Sequence, residues 1–196
     1  MVDKITTSSI IELYLNDYGK AFYLRELASF LGRPHQSIRQ YIDKLVGARI
    51  FIEERRRNFV EYKLNWKNVQ IYDYLVISEK EKLLKFFEKD ILLKVLFEKL
   101  SDFFKDNSFI VFGSSVDGTK KNSDIDLLVV GKSKINKEIK EFEEIYNKKI
   151  HKVQISNLDK LSATLIKEIY KKHLIFNDTE NVVRFFGGLH EQNKLV

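Results

Sequence analysis

Cysteine is absent from the 196 residues, which excludes disulfides and any thiolate metal site. Histidine is scarce: His35, His151, His173 and His190 are the full set, show no metal-ligand spacing, and read as surface or boundary residues. Proline occurs once. Long apolar runs are missing too. The best candidates, Ile91-Leu92-Leu93 and Val95-Leu96-Phe97, are interrupted by Lys94 and fall far short of the ~20 residues of a membrane span. The first residues lack the apolar stretch of a secretory signal, and no repeat or low-complexity segment is present. These absences point to a cytoplasmic protein without membrane contact. The charge excess is small. A net +6 permits nucleic acid as a partner without requiring it. What remains, 44% hydrophobic and 32% charged residues, describes a globular chain with enough length for one large or two small cored domains.

The stretch that organises the chain is Phe109 to Val130, FIVFGSSVDGTKKNSDIDLLVV. The spacing predicts a buried strand over Phe109–Phe112, a turn at Gly113-Ser114, a polar loop, and a second strand over Leu127–Val130. Residues two apart on a strand share a face, so Asp124 and Asp126 project side by side. Two carboxylates that close repel unless a cation lies between them. Oxygen-only ligands suit a hard ion such as Mg²⁺, which keeps waters and shares its site with substrate phosphates. Gly113 lets backbone approach a ligand, and the N–H groups after it can form an anion-binding turn.

Glycine-serine, nine intervening residues and Asp-hydrophobic-Asp-hydrophobic resembles the signature of the DNA polymerase beta nucleotidyltransferase superfamily, in its minimal branch. The resemblance implies that Gly113 and Ser114, with the N–H groups from Ser115 on, hold the phosphates of a nucleoside triphosphate, taken here as ATP. It implies that Asp124 and Asp126 are catalytic residues that bind Mg²⁺, and that Lys120 or Lys121 helps neutralise the triphosphate. Two departures stand out. A basic residue often precedes the second glycine of the turn in minimal nucleotidyltransferases, and here that place holds Asp117. A third carboxylate usually sits on the following core strand; in His151-Lys152-Val153-Gln154-Ile155 the best-matching position holds Gln154, which predicts a site that binds metal and nucleotide but is poor at chemistry.

The first third of the chain has its own pattern. Ile10, Leu13 and Tyr14 mark a helix over residues 7–17 with Thr7 or Ser8 as cap, and Leu24, Leu27, Ala28 and Leu31 mark a second. Pro34 opens a third, with Ile38, Tyr41, Ile42 and Leu45 inward. Two strands, Ile50–Glu53 and Phe59–Leu64, follow. This order resembles the winged helix-turn-helix family. It implies binding to double-stranded DNA, with Gln36, Arg39 and Gln40 at base edges and the hairpin tip Arg55-Arg56-Arg57 on phosphate. Residues 1–65 hold eleven basic and eight acidic residues, so the non-specific affinity implied is moderate.

The expected class is α+β: a winged helix-turn-helix domain over residues 1–65, a helical connector over 66–107, and an α/β nucleotidyltransferase-like domain with a mixed sheet over 108–196. In the connector, Ser78-Glu79-Lys80-Glu81 reads as a capping box and Asp90 as a break. The apolar helix from Ile91 to Phe104 must pack on the catalytic-type domain or on a second subunit, and a homodimer is expected. Beyond the motif, helices are expected over 134–147, from Asn157, and from Asp178 or Thr179 to Gly187-Gly188, with strands Ile150–Ile155 and Leu174–Phe176. The functional expectation is a DNA-binding transcriptional regulator whose second domain binds Mg²⁺-nucleotide with little or no activity. The alternative is an active enzyme that transfers a nucleoside monophosphate to a protein or RNA acceptor, for example as the antitoxin of a toxin–antitoxin pair.

Overall fold

The computed structural model describes residues 4–119 and 123–195. At the N-terminal end, α1 (Thr7–Ile11) is capped by Thr6, one residue earlier than expected. The Thr6 hydroxyl accepts from the Ser9 N–H at 3.1 Å, and the Thr6 N–H donates to the Ser9 hydroxyl at 2.9 Å. A 3₁₀ turn over Glu12–Tyr14 extends it. Then come β1 (Phe22–Tyr23), α2 (Leu24–Phe30), α3 (His35–Gly47), β2 (Phe51–Arg56) and β3 (Phe59–Leu64). The three strands form an antiparallel sheet in the order β1-β3-β2. Ile38, Ile42 and Leu45 bury one face of α3, as the 3.6-residue period requires.

The next segment corrects the connector. Helix α4 (Ile71–Phe87) begins seven residues before Ser78. Ser78 is buried inside it, and its hydroxyl donates back to the Tyr74 carbonyl at 2.8 Å. Asp90 does break the helix. Its carboxylate accepts from the Leu93 N–H at 3.0 Å and so caps α5 (Ile91–Leu100).

The remaining elements are β4 (Asn107–Phe112), β5 (Ile125–Gly131), α6 (Asn136–Tyr146), β6 (Ile150–Ile155), α7 (Ala163–Lys171), β7 (His173–Ile175) and α8 (Thr179–Glu191). The sheet order is β6-β5-β4-β7. Only the β5–β6 pair is parallel, with α6 as its crossover. Ser162, not Asn157, caps α7. Helix α8 runs through Gly187-Gly188 instead of ending there. A Cβ at Gly187 would lie 2.5 Å from the Tyr72 ring, so this glycine serves close packing of α8 on α4.

One face of this sheet, with Phe109, Val111, Leu127 and Val129, packs against Leu93, Leu96 and Leu100 of α5 and Phe142 of α6. The apolar surface of residues 91–104 is therefore taken up mainly by the chain's own sheet; Ile91 is 72% exposed. The other face, with Ile110, Phe112 and Leu128, shares a core with α7, α8 and the N-terminal residues Ile10, Tyr14 and Leu15. His173 is not a surface residue. It is fully buried, with Nε2 2.8 Å from Glu79 Oε1 and Nδ1 2.8 Å from the Ile169 carbonyl. Both ring nitrogens face oxygen atoms. Lys82 closes the network at 3.3 Å from Glu79.

Candidate nucleotide and metal site

Strand β4 ends at Phe112, and the chain turns sharply at Gly113 with φ +71°, a backbone conformation glycine adopts without strain. A 3₁₀ turn, Gly113–Asp117, follows. A Cβ at Gly113 would sit 2.6 Å from Asp126 Oδ2, so the missing side chain is what lets the carboxylate lie against the turn. Phe112 pairs with Asp126 across β4–β5, and Asp124 precedes β5 by one residue. The structure thus brings Gly113, Asp124 and Asp126 together.

The loop is pinned from inside. Ser115 is fully buried, and its hydroxyl donates to the Asp124 carbonyl at 2.8 Å, so its side chain is engaged in the loop, not turned to a phosphate. Ser114 is exposed. Asp90 holds the far end of the loop, accepting from the Thr119 N–H at 2.7 Å and the Thr119 hydroxyl at 2.8 Å. Asp117 forms an ion pair with Lys172, at the α7–β7 junction, which compensates the charge a phosphate would otherwise meet there. Lys120 and Lys121 lie outside the described residues.

Burial pushes the Asp126 carboxyl above its usual range. The nearby His151 opposes that shift, and the charges of Glu168 on α7 and of Asp124 add to it. A bound divalent cation would relieve this repulsion, and a pair of carboxylates is a donor set that fits Mg²⁺. Among the described residues no three His, Cys, Asp or Glu side chains are drawn together closely enough to hold an ion alone. An ion here would take its other ligands from phosphate oxygens and water.

Gln154 does not occupy the third position. It pairs with Val129, three residues or ~10 Å up the strand from Asp126, and on the opposite face of the sheet. There its amide donates to the Ser133 carbonyl at 3.0 Å, and its oxygen accepts from Lys152 at 3.0 Å. The residue level with Asp126 is His151, on the same face, with Nδ1 3.8 Å from Asp126 Oδ1. Sequence reasoning missed His151 because register across a parallel crossover is set by α6 and its packing, not by local pattern. It also missed Lys172 and Glu168, which come from α7 and its exit.

The residues expected at a DNA surface are spread differently. Gln36, Arg39 and Gln40 are all exposed on α3. The three arginines do not form a common tip. Arg55 lines a groove with Arg39, His35 and Phe59, whereas Arg56 lies on the other face of the hairpin and pairs with Glu61 at 3.1 Å. Arg57 occupies the turn itself, with φ +54°.

Residues 93–177 match the family model described as "Nucleotidyltransferase domain". The match begins within α5 and spans β4 to β7, including Gly113, Asp124, Asp126 and His151. No curated protein matches the chain. Among solved structures, a toxin–antitoxin with AMP-PNP is similar at 16% identity and TM-score 0.38, covering 52% of this chain and 87% of that one. A variant of the toxin–antitoxin MntA-HpeT is similar at 14% identity and TM-score 0.37, with the same coverage. Similarity at that level carries neither fold nor function from one chain to the other.

Proposed function

We propose that the protein is an active minimal nucleotidyltransferase that transfers a nucleoside monophosphate, from ATP in the first instance, to a hydroxyl of a protein or RNA acceptor. The observation that carries this reading is the Asp126 carboxylate lying against the Cβ-less turn at Gly113, with Asp124 beside it, inside the segment that matches the nucleotidyltransferase family. The Gly113 turn and the exposed Ser114 hydroxyl donate hydrogen bonds to the terminal phosphates. Asp124 and Asp126 would hold the divalent ion that accompanies the triphosphate. The acceptor hydroxyl gives up its proton to solvent as its oxygen bonds to the α-phosphorus; the bond to the β-phosphate oxygen breaks, and pyrophosphate leaves with that electron pair. Divalent ions, when bound, stabilise charge on the attacking and leaving oxygens. Lys172, paired with Asp117, keeps the loop from repelling the triphosphate. The expected weak activity rested on Gln154 as third ligand, and Gln154 lies on the wrong face.

The N-terminal part supports a second role, sequence-selective binding to double-stranded DNA. Three helices and a hairpin in this order resemble a winged helix-turn-helix. The specific observation is that Gln36, Arg39 and Gln40 stand exposed on one helix, with Arg39 and Arg55 sharing one groove. Incubation with each of the four α-labelled nucleoside triphosphates, Mg²⁺ or Mn²⁺, and cell extract tests the enzymatic reading. Label transferred to a protein or RNA band, and lost in Asp124→Asn/Asp126→Asn, supports it. No transfer under any combination removes it.

A further inference from the structure

We infer that Asp90, at the α4–α5 junction, is a positioning residue for the triphosphate: it holds the loop after β4 in the form that grips the terminal phosphates, and so sets a preference for nucleoside triphosphate over monophosphate. This role rests on the nucleotidyltransferase reading, and the residue lies outside the matched segment, which begins at residue 93. Asp90 is 7% exposed, and its two oxygens do different work. Oδ1 accepts from the Leu93 N–H at 3.0 Å and caps α5. Oδ2 accepts twice from Thr119, 29 residues further along the chain, from its N–H at 2.7 Å and from its hydroxyl at 2.8 Å. A helix cap needs one acceptor, which an uncharged asparagine supplies equally well. The second oxygen serves the loop, and the charge strengthens that hold, since hydrogen bonds to a carboxylate are roughly twice as strong as neutral ones.

The other anchors of the loop come from within the matched segment. Gly113 lies against Asp126, the Ser115 hydroxyl bonds to the Asp124 carbonyl, and Asp117 pairs with Lys172. Beyond them the chain passes Gly118, at φ +107°, where among the described residues a Cβ would meet nothing within 4 Å. Packing therefore does not fix the loop at that point, and the bonds from Asp90 to Thr119 do. A loop held in its bound form before the ligand arrives loses less freedom on binding. That gain falls to a triphosphate, whose terminal phosphates meet the loop, and not to a monophosphate, which lacks them. The competing role, a cap of α5 and nothing more, is separable by Asp90→Asn. There the amide oxygen keeps the Leu93 bond, which leaves the NH₂ group facing the Thr119 N–H, donor against donor.

The test measures binding, not turnover. The full-length protein in Mg²⁺ is titrated calorimetrically with the non-transferable α,β-methylene ATP and, separately, with AMP. Wild type, Asp90→Asn, Thr119→Val and the double variant are compared, and urea unfolding is followed for each. Asp90→Asn is expected to weaken triphosphate binding by about 10- to 100-fold, the effect of losing a hydrogen bond to a charged group. Its affinity for AMP should stay within about twofold, and its unfolding midpoint should hold because the cap is kept. Thr119→Val, which removes only the hydroxyl, should cost about threefold to tenfold in triphosphate affinity. The double variant should be little weaker than Asp90→Asn, since both substitutions act on the same bonds. Unchanged triphosphate affinity in Asp90→Asn would overturn the inference and leave the nucleotidyltransferase reading intact, with or without a lower unfolding midpoint. Equal losses for triphosphate and AMP, or full additivity in the double variant, would do the same. Failure of the wild type to bind the triphosphate analogue would strike the nucleotidyltransferase reading itself and the role of Asp90 with it.

Discussion

Replacing Glu79 with glutamine removes one charge from a site that excludes water. Glu79 is 1% exposed and His173 fully buried. Burial alone would raise the Glu79 carboxyl, but the charges of Lys82 and His173 and their hydrogen bonds outweigh it and hold the group below its ordinary 4.5. Removing one partner of a buried ion pair costs about 3–5 kcal/mol. For a chain of this length, each kcal/mol moves the thermal midpoint by roughly 2–4 °C, so a drop of about 6–20 °C is expected. A carboxyl lowered in the folded state contributes stability that is complete above its unfolded value and is lost as pH falls through its folded value. The gap between wild type and Glu79→Gln, measured by urea unfolding, should be full at pH 7 and shrink below about pH 4.5. The triple replacement Glu79→Leu/His173→Leu/Lys82→Met should cost less than the single one, since no uncompensated charge remains. A single-substitution cost under about 1 kcal/mol, or a gap that does not close in acid, would refute the reasoning.

Three further outcomes follow from the site and the N-terminal surface. Gly113→Ala should cost about 1–2 kcal/mol for the left-handed backbone. It should also weaken metal–nucleotide binding, because its Cβ displaces the Asp126 carboxylate; urea unfolding reads the first effect and calorimetric titration against wild type the second. Gln154→Asp should leave label transfer within about twofold of wild type, since the residue faces away from Asp126, and a large gain would restore Gln154 to the site. If the chain binds DNA, Arg55→Ala and Arg57→Ala should each reduce the logarithmic salt slope by about one unit. Arg56→Ala should change it little, as Glu61 already neutralises Arg56; an equal effect at all three would contradict the hairpin geometry.

What the sequence makes legible is local. The strand, glycine turn and paired aspartates can be read because two residues on one strand must share a face. The second and third N-terminal helices can be read because each keeps a clean 3.6-residue period and stops at or just before a glycine, whereas the first, expected over 7–17, is α-helical only over Thr7–Ile11. What it hides depends on partners far along the chain. Ser78 carries the pattern of a helix start, yet it lies inside α4, because capping-box residues serve equally well in mid-helix when their hydroxyl bonds back to a carbonyl. The burial of His173 depends on Glu79, 94 residues away. The exchange of Gln154 for His151 at the site follows from β5–β6 register, which no residue of either strand announces.

The central claim is chemical activity at the Asp124–Asp126 site. The most direct measurement is transfer of label from α-labelled ATP in the presence of Mn²⁺, with wild type and Asp124→Asn/Asp126→Asn compared at equal concentration in the same extract. The account predicts that one or a few acceptor bands become labelled with wild type and that pyrophosphate is released in equal amount. It predicts that the double variant falls by a factor of ~10² or more. Equal labelling by both proteins, or no labelling by wild type with any nucleotide, would contradict it.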